Sequence, residues 1–225
     1  MRIGVVVATE REKEAFSKVF GDHPYMHTRS GNHLVDCWKL SLDREVFLVL
    51  SGVGEIAAAI STQYLIDVFH VDVMINYGVV GGLINYEPKK PFLVDGVVHY
   101  DFDMTFDTDL KVGQYPNTYK TVIEIKRNAF FAGQLANLDK LICASGDKIV
   151  PGGEPKKRLR REFGADVCDM ESAGFVITCN RNRMPCAIIK AISDGVDEDV
   201  EAFEKNVDEA ALNCAKLIFR LASNH

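Results

Sequence analysis

The sequence predicts an α/β fold with a mixed or parallel central sheet. Three observations carry this prediction. Short, continuous apolar runs recur along the chain, glycine or small polar residues follow them directly, and segments of helical composition come next. Since ligands of open α/β sheets bind at the carboxyl ends of the strands, we expect one site at the strand ends.

The N-terminal segment has this order in its simplest form. The β-branched run 3–7 predicts a strand, and apolar positions on one face of residues 10–20 predict a helix. Glu12 falls in the first turn of that helix, where the helix dipole favours an acid. The residue therefore has either a capping role alone or a role in a site.

The next segments repeat the pattern. Runs 32–40 and 45–50 predict two strands joined by a turn at 42–44, and residues 51–54 form a glycine turn that leads to a helix over 55–66. Such turns let a ligand approach the backbone, but the glycine spacing here does not indicate a dinucleotide. Run 71–83 predicts a buried strand that ends in a second glycine turn.

The second half of the chain continues in the same way. Residues 99–117 are polar and acidic, which suits either a substrate-covering loop or a plain solvated one. A basic helix over 155–163 is expected to face solvent. The remaining predicted elements are strands at 92–98, 141–145 and 187–192, and helices at 130–137, 171–180 and 208–223.

Two acids stand out near the predicted strand ends. Asp194 closes an apolar run and is followed by Gly195, while Glu171 follows Met170 at the start of a helix. Acids placed there suit a ligand site at the edge of the sheet. The alternative is that Asp194 caps a turn and Glu171 interacts with a helix dipole.

Composition limits the function classes. The chain has 225 residues, 47% hydrophobic and 26% charged, without a linker or repeat, so we expect one domain over 1–225. A net charge of −6 argues against a nucleic-acid binder, and no apolar run is long enough for a membrane span. Residues 1–8 predict the first strand of a mature cytoplasmic protein, because no cleavage site follows them.

Cysteine and histidine positions argue against a metal centre. The six cysteines form no C-x-x-C pair and lie mostly in apolar surroundings, so we expect buried free thiols. Five of the six histidines are scattered over the first 100 residues, without the spacing of a metal-binding helix. We therefore expect neither a metal nor a cofactor.

An ordered set of motifs resembles the 5′-methylthioadenosine/S-adenosylhomocysteine nucleosidases of the purine nucleoside phosphorylase and nucleosidase superfamily. The motifs occupy residues 1–12, 51–54, 76–82, 145–147, 169–171 and 191–194. The resemblance implies a central mixed β-sheet that closes toward a barrel and is flanked by helices, usually in a homodimer. It also implies hydrolysis of the N-glycosidic bond of a small-molecule purine nucleoside, without nucleic acid or membrane as partner.

The same resemblance implies a role for each of three acids. Asp194 matches the residue that protonates the leaving purine at N7, and its apolar strand would help it to keep that proton. Glu171 matches the acceptor for the ribose hydroxyls, and Glu12 matches the carboxylate that activates water. Further substrate-binding positions implied in this way are Ala8, Gly78, Val79, Ile149, Val150, Met170, Lys190 and Ser193, with Ser193 orienting Asp194 and the backbone of Val150 meeting the base edge.

The chain departs from the family pattern at several of these positions. Val79 stands where the nucleosidases have a serine that helps to hold water, and its side chain cannot donate a hydrogen bond. Lys190 replaces an arginine, which keeps the charge but loses the bidentate fork. Ile149 stands where an aromatic ring usually stacks on the base. These changes suit either a shifted substrate preference or a divergent sequence with the usual reaction.

Two other functions remain open at this point. A phosphorylase of the same fold needs a cationic phosphate site, typically an arginine in the first turn, where this chain has 8–10 as Ala-Thr-Glu. The carboxylate of Glu12 would also repel phosphate, so the sequence favours hydrolysis. The third hypothesis is a catalytically weak nucleoside-binding protein, which Val79 and Lys190 leave open.

Overall fold

The computed structural model describes residues 1–31, 33–106, 108–198 and 200–223. Asn32, at the start of one predicted strand, and Asp107, in the predicted loop 99–117, lie outside them. The described residues form ten strands and six helices. The strands are β1 (Arg2–Val7), β2 (Met26–Ser30), β3 (His33–Ser41), β4 (Arg44–Leu50), β5 (Val73–Gly82), β6 (Phe92–His99), β7 (Val122–Glu124), β8 (Lys140–Ser145), β9 (Val167–Asp169) and β10 (Cys186–Asp194). The helices are α1 (Glu10–Phe20), α2 (Glu55–Phe69), α3 (Ala129–Ala132), α4 (Glu154–Phe163), α5 (Ser172–Arg181) and α6 (Val200–Ser223).

The strands form one mixed sheet in the order β10-β6-β8-β9-β5-β1-β4-β3-β2, with β7 added to β6. An additional parallel pairing joins β10 to β5. That pairing closes β5, β10, β6, β8 and β9 into a five-stranded barrel within the larger sheet. The prediction of a mixed sheet that closes toward a barrel is therefore confirmed.

Strand β1 shows why several strand sequences are continuously apolar. Val6 packs in a core cluster with side chains of α2 and α5, whereas Val5 and Val7 pack in a second cluster with α1 and α6. Successive side chains of a strand point to opposite faces, so a strand covered by helices on both faces needs apolar residues at every position.

Some elements differ from the prediction. Helix α3 is a single turn, not the predicted 130–137, because Gly133 follows it directly and glycine is a poor helix former. The short strands β7 and β9 carry too few residues to give a period of their own. The expectation that the basic helix faces solvent is wrong for Lys156, which is fully buried on α4.

The described part of the chain contains no helix that is both long enough and apolar enough to cross a membrane. All six cysteines are free thiols with buried side chains, as their apolar surroundings predict.

Candidate active site

Glu12 is held between the first turn of the fold and strand β5. Thr9 caps α1, and the Glu12 Oε2 atom accepts hydrogen bonds from the backbone N–H groups of Ala8 at 3.0 Å and Thr9 at 2.9 Å. Its Oε1 atom accepts from the backbone N–H of Val79 at 3.0 Å. The carboxylate is buried and points at β5, so its helix-capping role does not exclude a role in a site, which stays a prediction. Although the Val79 side chain cannot donate, its backbone does.

Gly78 makes this approach possible. A Cβ atom at position 78 would lie 2.2 Å from the Glu12 Oε1 atom, so a larger residue would expel the carboxylate. The neighbouring Tyr77 is buried against Phe16, and its hydroxyl donates to the backbone carbonyl of Glu12. Tyr77 thus packs against α1 and stabilises the position of the helix that carries Glu12.

Glu171 occupies the N-cap position of α5, directly after β9. Its Oε1 atom accepts a hydrogen bond from the backbone N–H of Gly54 at 3.0 Å, at the start of α2. The two helix starts meet closely because position 174 is glycine, where a Cβ would lie 2.1 Å from the backbone oxygen of Glu55. Glu171 is therefore fixed by a residue 117 positions away in the chain.

The electrostatic surroundings of Glu171 set its protonation near neutral pH. Burial is the largest cause, and together with the negative charges of Asp169 and Glu12 it raises the pKa of Glu171 to about 7. The ammonium of Lys190 and the Gly54 N–H oppose this rise. Glu12 and Glu171 thus share one electrostatic site, although no hydrogen bond joins them.

Lys190 supplies the buried positive charge of this site. Its Nζ atom lies 3.0 Å from the Asp169 Oδ2 atom, and both side chains are 2% exposed. Burial alone would raise the pKa of Asp169, but Lys190 and the hydroxyls of Ser172 and Ser145 lower it. Burial disfavours the charged form of Lys190, yet Asp169, with Glu171 and Glu12, raises its pKa above the usual value. A substrate contact of Lys190 stays a prediction.

Asp194 ends β10, where its register partner on β5 is Gly81. The Ser193 hydroxyl donates to the Asp194 Oδ1 atom at 2.7 Å. The Nζ atom of Lys156 lies 2.5 Å from the Asp194 Oδ2 atom. We expected the apolar strand before Asp194 to desolvate this acid, and the strand is buried; the structure adds a buried ammonium in contact with the carboxylate.

Segment 78–81 of β5 brings the acids together. Glu12 accepts from the N–H of Val79, and Asp194 pairs in register with Gly81. Strand β9 runs antiparallel to β5 with Cys168 opposite Gly81, and Glu171 follows two residues after β9 ends. Glu12 and Asp194 therefore meet one stretch of backbone, and Glu171 lies close enough to Glu12 for the two charges to interact.

The predicted base-binding residues lie on the loop after β8. The Ile149 side chain is 85% exposed, whereas Val150 is half-buried. A groove of about 670 Å³ lies next to this loop, between Val150, Tyr100 and Leu159. None of the three acids is among the residues that line it.

A second group of titratable side chains lies beside the site. The His99 Nε2 atom is 2.8 Å from Glu55 Oε2 and 3.0 Å from Asp101 Oδ1, and these three ligand atoms are close enough together to hold a metal ion. Burial opposes protonation of His99, but the Glu55 and Asp101 carboxylates raise its pKa.

Sequence reasoning missed Asp169 and Lys156 as parts of the site. Asp169 could have been found, because it directly precedes the Met170–Glu171 pair at a strand end. Lys156 carries no comparable signal, since it is one of two adjacent lysines in a helix of mostly basic residues.

Comparisons with known proteins identify the family of this chain. The family model described as the phosphorylase superfamily matches residues 2–223. A curated 5′-methylthioadenosine/S-adenosylhomocysteine nucleosidase of Buchnera aphidicola subsp. Acyrthosiphon pisum is 30% identical over 233 residues, covering 100% of this chain and 98% of the relative. A nucleosidase of the same description from Staphylococcus aureus is 31% identical over 190 residues, covering 80% of this chain and 82% of the relative.

Solved structures show the same fold. Helicobacter pylori 5′-methylthioadenosine/S-adenosylhomocysteine nucleosidase, in complex with a pyrrolidine ligand that carries a deazapurine-like base, is 25% identical with a TM-score of 0.88, covering 98% of this chain and 97% of that one. Futalosine hydrolase of Helicobacter pylori has the same TM-score of 0.88 and the same coverage at 24% identity, which shows the fold alone. From its family model and its full-length relatives, this chain belongs to the phosphorylase superfamily, and within it to the 5′-methylthioadenosine/S-adenosylhomocysteine nucleosidase family.

Proposed function

We propose that this chain hydrolyses the N-glycosidic bond of a purine nucleoside, namely 5′-methylthioadenosine, S-adenosylhomocysteine or a related adenosine derivative, and releases free base and sugar. One observation carries the proposal. Glu12 and Asp194 meet segment 78–81, Glu171 lies close enough to Glu12 for their charges to interact, and a hydrogen bond fixes each of the three carboxylates.

The chemistry of the bond explains why three acids are needed. Cleavage passes through an oxocarbenium-like state, so positive charge develops on the ribose while the purine gains electrons. In our proposal Asp194 protonates the purine at N7, and Glu171 accepts hydrogen bonds from the ribose hydroxyls. Glu12 takes a proton from the attacking water. The negative charges of Glu12 and Glu171 also stabilise the positive charge on the ribose.

The setting of Glu12 supports water over phosphate as the nucleophile. A phosphate dianion next to this buried carboxylate would be repelled unless a cation lay between them. The two buried lysines of the described chain are already paired, Lys190 with Asp169 at 3.0 Å and Lys156 with Asp194 at 2.5 Å. The phosphorylase alternative is therefore disfavoured on the same geometry.

The remaining predicted contacts frame the substrate. Ala8, Gly78, Val79 and Met170 adjoin Glu12 or Glu171, so we assign them to the ribose and its 5′ substituent. Ile149 and Val150 belong to the base side, where an exposed isoleucine replaces a stacking ring and offers a weaker face to the purine.

We also infer a homodimer, on the strength of an exposed apolar surface. Val53, just before α2, and Ile56 and Ile60, one helical turn apart within it, are 57%, 72% and 53% exposed. Contiguous apolar side chains of this kind mark interfaces. With the proposed reaction we also propose a cytoplasmic location and a role in methionine salvage.

The test of the reaction is base release from a panel of nucleosides. The purified protein is incubated with methylthioadenosine, S-adenosylhomocysteine, adenosine, inosine and futalosine, in buffers with and without phosphate, and free base and sugar are quantified. We expect base release without phosphate. Release that requires phosphate and yields a sugar 1-phosphate would make the chain a phosphorylase, and no release in either buffer would favour the binding-protein alternative.

Sedimentation velocity tests the assembly. Ile60→Glu should shift the protein toward the monomer, while Leu42→Glu, at a 96% exposed position on the β3–β4 turn, serves as the matched control. A wild-type monomer would contradict the homodimer.

A further inference from the structure

Lys156 is fully buried beside the proposed general acid. Its Nζ atom lies 2.5 Å from the Asp194 Oδ2 atom, 2.6 Å from the backbone oxygen of Gly195 and 3.3 Å from the backbone oxygen of Asp194. A lysine ammonium has three N–H donors, and here each has an oxygen to bind. Lys156 is 0% exposed, whereas the Asp194 side chain keeps 19% of its surface exposed.

The fold makes room for this side chain at one position of β5. A Cβ on Gly81 would lie 3.2 Å from the Lys156 Cε atom and 3.3 Å from Nζ. Gly81 is also the register partner of Asp194. Because Gly81 has no side chain, Lys156 of α4 can pass close to β5 and reach the carboxylate at the end of β10.

Stability alone is a poor reason for such a pair. Removing an ammonium and a carboxylate from water costs several kcal/mol each, and apolar residues of similar volume often serve stability equally well. An ammonium in contact with a carboxylate does, however, change how strongly that carboxylate holds a proton. A pair that includes the proposed acid therefore points to a role in the proton transfer.

We propose that Lys156 is a positioning residue for Asp194, which holds the carboxylate in place and makes its protonated form a stronger acid. The inference rests on the proposed function, because it assumes that Asp194 protonates the base. In the cleavage step the proton moves from Asp194 to N7, and the electron pair of the C1′–N9 bond moves to the base. Lys156 keeps its protons, and the ion pair with Asp194 forms again as the proton leaves.

This arrangement has two opposite effects on the rate. Re-formation of the ion pair favours the transfer to N7, so the intrinsic step is faster with Lys156 than without it. The same ion pair reduces the fraction of Asp194 that carries a proton as the pH rises. Lys156 therefore sets the pH above which activity falls.

The other charged groups around Asp194 are accounted for. Burial raises the pKa of the Cys168 thiol on β9 to about 12, so this group is neutral at the pH values of interest. In the loop after β10, Glu198 Oε2 accepts from the Gly195 N–H at 2.5 Å. The neighbouring lysine of α4, Lys157, pairs instead with Asp197 at 2.6 Å on the exposed side.

Helix α6 and the loop before β6 add no unpaired charge to this group. Asn206 of α6 donates its side-chain N–H to the backbone oxygen of Ser193 at 2.9 Å. The backbone N–H of Lys89 donates to the backbone oxygen of Ile192. The Lys89 side chain forms an ion pair with Glu209 at 2.7 Å. In the described part of the chain, the ammonium that touches the Asp194 carboxylate is therefore that of Lys156.

The test is the pH dependence of turnover in Lys156→Met, with Lys157→Met as the matched control. Methionine fills similar space without the charge, whereas the control removes an exposed lysine from the same helix. We expect the alkaline limb of kcat/KM to move up by about 1–3 pH units in Lys156→Met, the size of effect that an adjacent opposite charge has on a carboxyl group. We also expect kcat on the plateau to fall, and the profile of the control to match the wild type.

A second measurement does not depend on turnover. In protein with ¹³C-labelled aspartate carboxyls, the Asp194 signal, assigned by its loss in Asp194→Asn, should change with pH at a higher midpoint in Lys156→Met than in the wild type. The proposal would be overturned if Lys156→Met folds with lower stability but leaves both the midpoint of the Asp194 signal and the alkaline limb of kcat/KM unchanged. Lys156 would then only stabilise the fold. If no nucleoside is cleaved, the proposed function fails, and the signal still reports on the pair.

Lys156→Gln, which keeps one amide donor, replaces the methionine variant if that variant does not fold. If neither folds, the wild-type signal decides. An Asp194 carboxyl that is still ionised near pH 4, where ordinary aspartates are half protonated, supports the proposal. A carboxyl that keeps its proton at pH 7 overturns it.

Discussion

Glu171→Gln should make the protein more stable above neutral pH while it removes activity. The pKa of Glu171 rises from 4.5 to about 7, mainly because the carboxyl is buried. In the unfolded chain this group loses its proton near 4.5, but in the folded chain it keeps the proton until about pH 7. The stabilisation from this group is therefore complete below pH 4.5 and is lost as the pH rises through the interval to 7.

The size of the effect follows from the same values. At about 1.4 kcal/mol for each pH unit, ionised Glu171 costs the folded state on the order of 3 kcal/mol well above pH 7. Part of this cost is already present at pH 5, so the difference between pH 5 and pH 8 is roughly 2 kcal/mol. Glutamine has nearly the same shape and cannot ionise.

Urea unfolding at pH 5 and pH 8 measures this difference. Relative to the wild type, Glu171→Gln should gain roughly 2 kcal/mol of unfolding free energy between the two pH values. Glu14→Gln, at an exposed position of α1, is the matched control and should show no such gain. If the unfolding free energy of both variants changes between pH 5 and pH 8 as that of the wild type does, Glu171 does not titrate near neutral pH. The reasoning from burial is then refuted.

Three further predictions concern the same site. Gly78→Ala places a Cβ within 2.2 Å of Glu12 Oε1, so turnover should fall by about 100-fold or more, and wild-type turnover would remove Glu12 as the group that activates water. Asp194→Asn should lower kcat by roughly 10²–10⁴-fold with an unchanged circular dichroism spectrum, and near-normal activity would exclude Asp194 as the general acid. Lys190→Met leaves the buried Asp169 unpaired and should cost about 3–5 kcal/mol in urea unfolding, whereas a loss below about 1 kcal/mol would show that this pair does not stabilise the fold.

The sequence predicts the strands and helices that are long and periodic. Helix α1 begins and ends at Glu10 and Phe20 as expected, because its apolar positions share one face and Thr9 caps it. The closed barrel was expected through the family resemblance, since strand pairing cannot be read from periodicity. Elements of three or four residues, such as α3 and β9, were missed or misjudged because they depend on their neighbours.

The candidate site divides in the same way. The acids Glu12, Glu171 and Asp194 were identified from their positions next to strand ends and from the family motifs. The neighbouring partner Ser193 of Asp194 was identified as well. The long-range partners were not, because they lie far away in the chain, as Gly54 does for Glu171 and Lys156 does for Asp194.

By itself, the sequence determined the α/β class, the order of most elements and the three acids, because these depend on local apolar patterns and short motifs. Only the tertiary structure decided the electrostatic setting of each acid. That setting depends on burial and on which charges lie within a few ångströms, and these are properties of the packed chain. Two lysines illustrate the difference. The sequence predicted a substrate contact for Lys190 and a solvent-facing helix around Lys156, yet the fold buries both side chains and pairs them with Asp169 and Asp194.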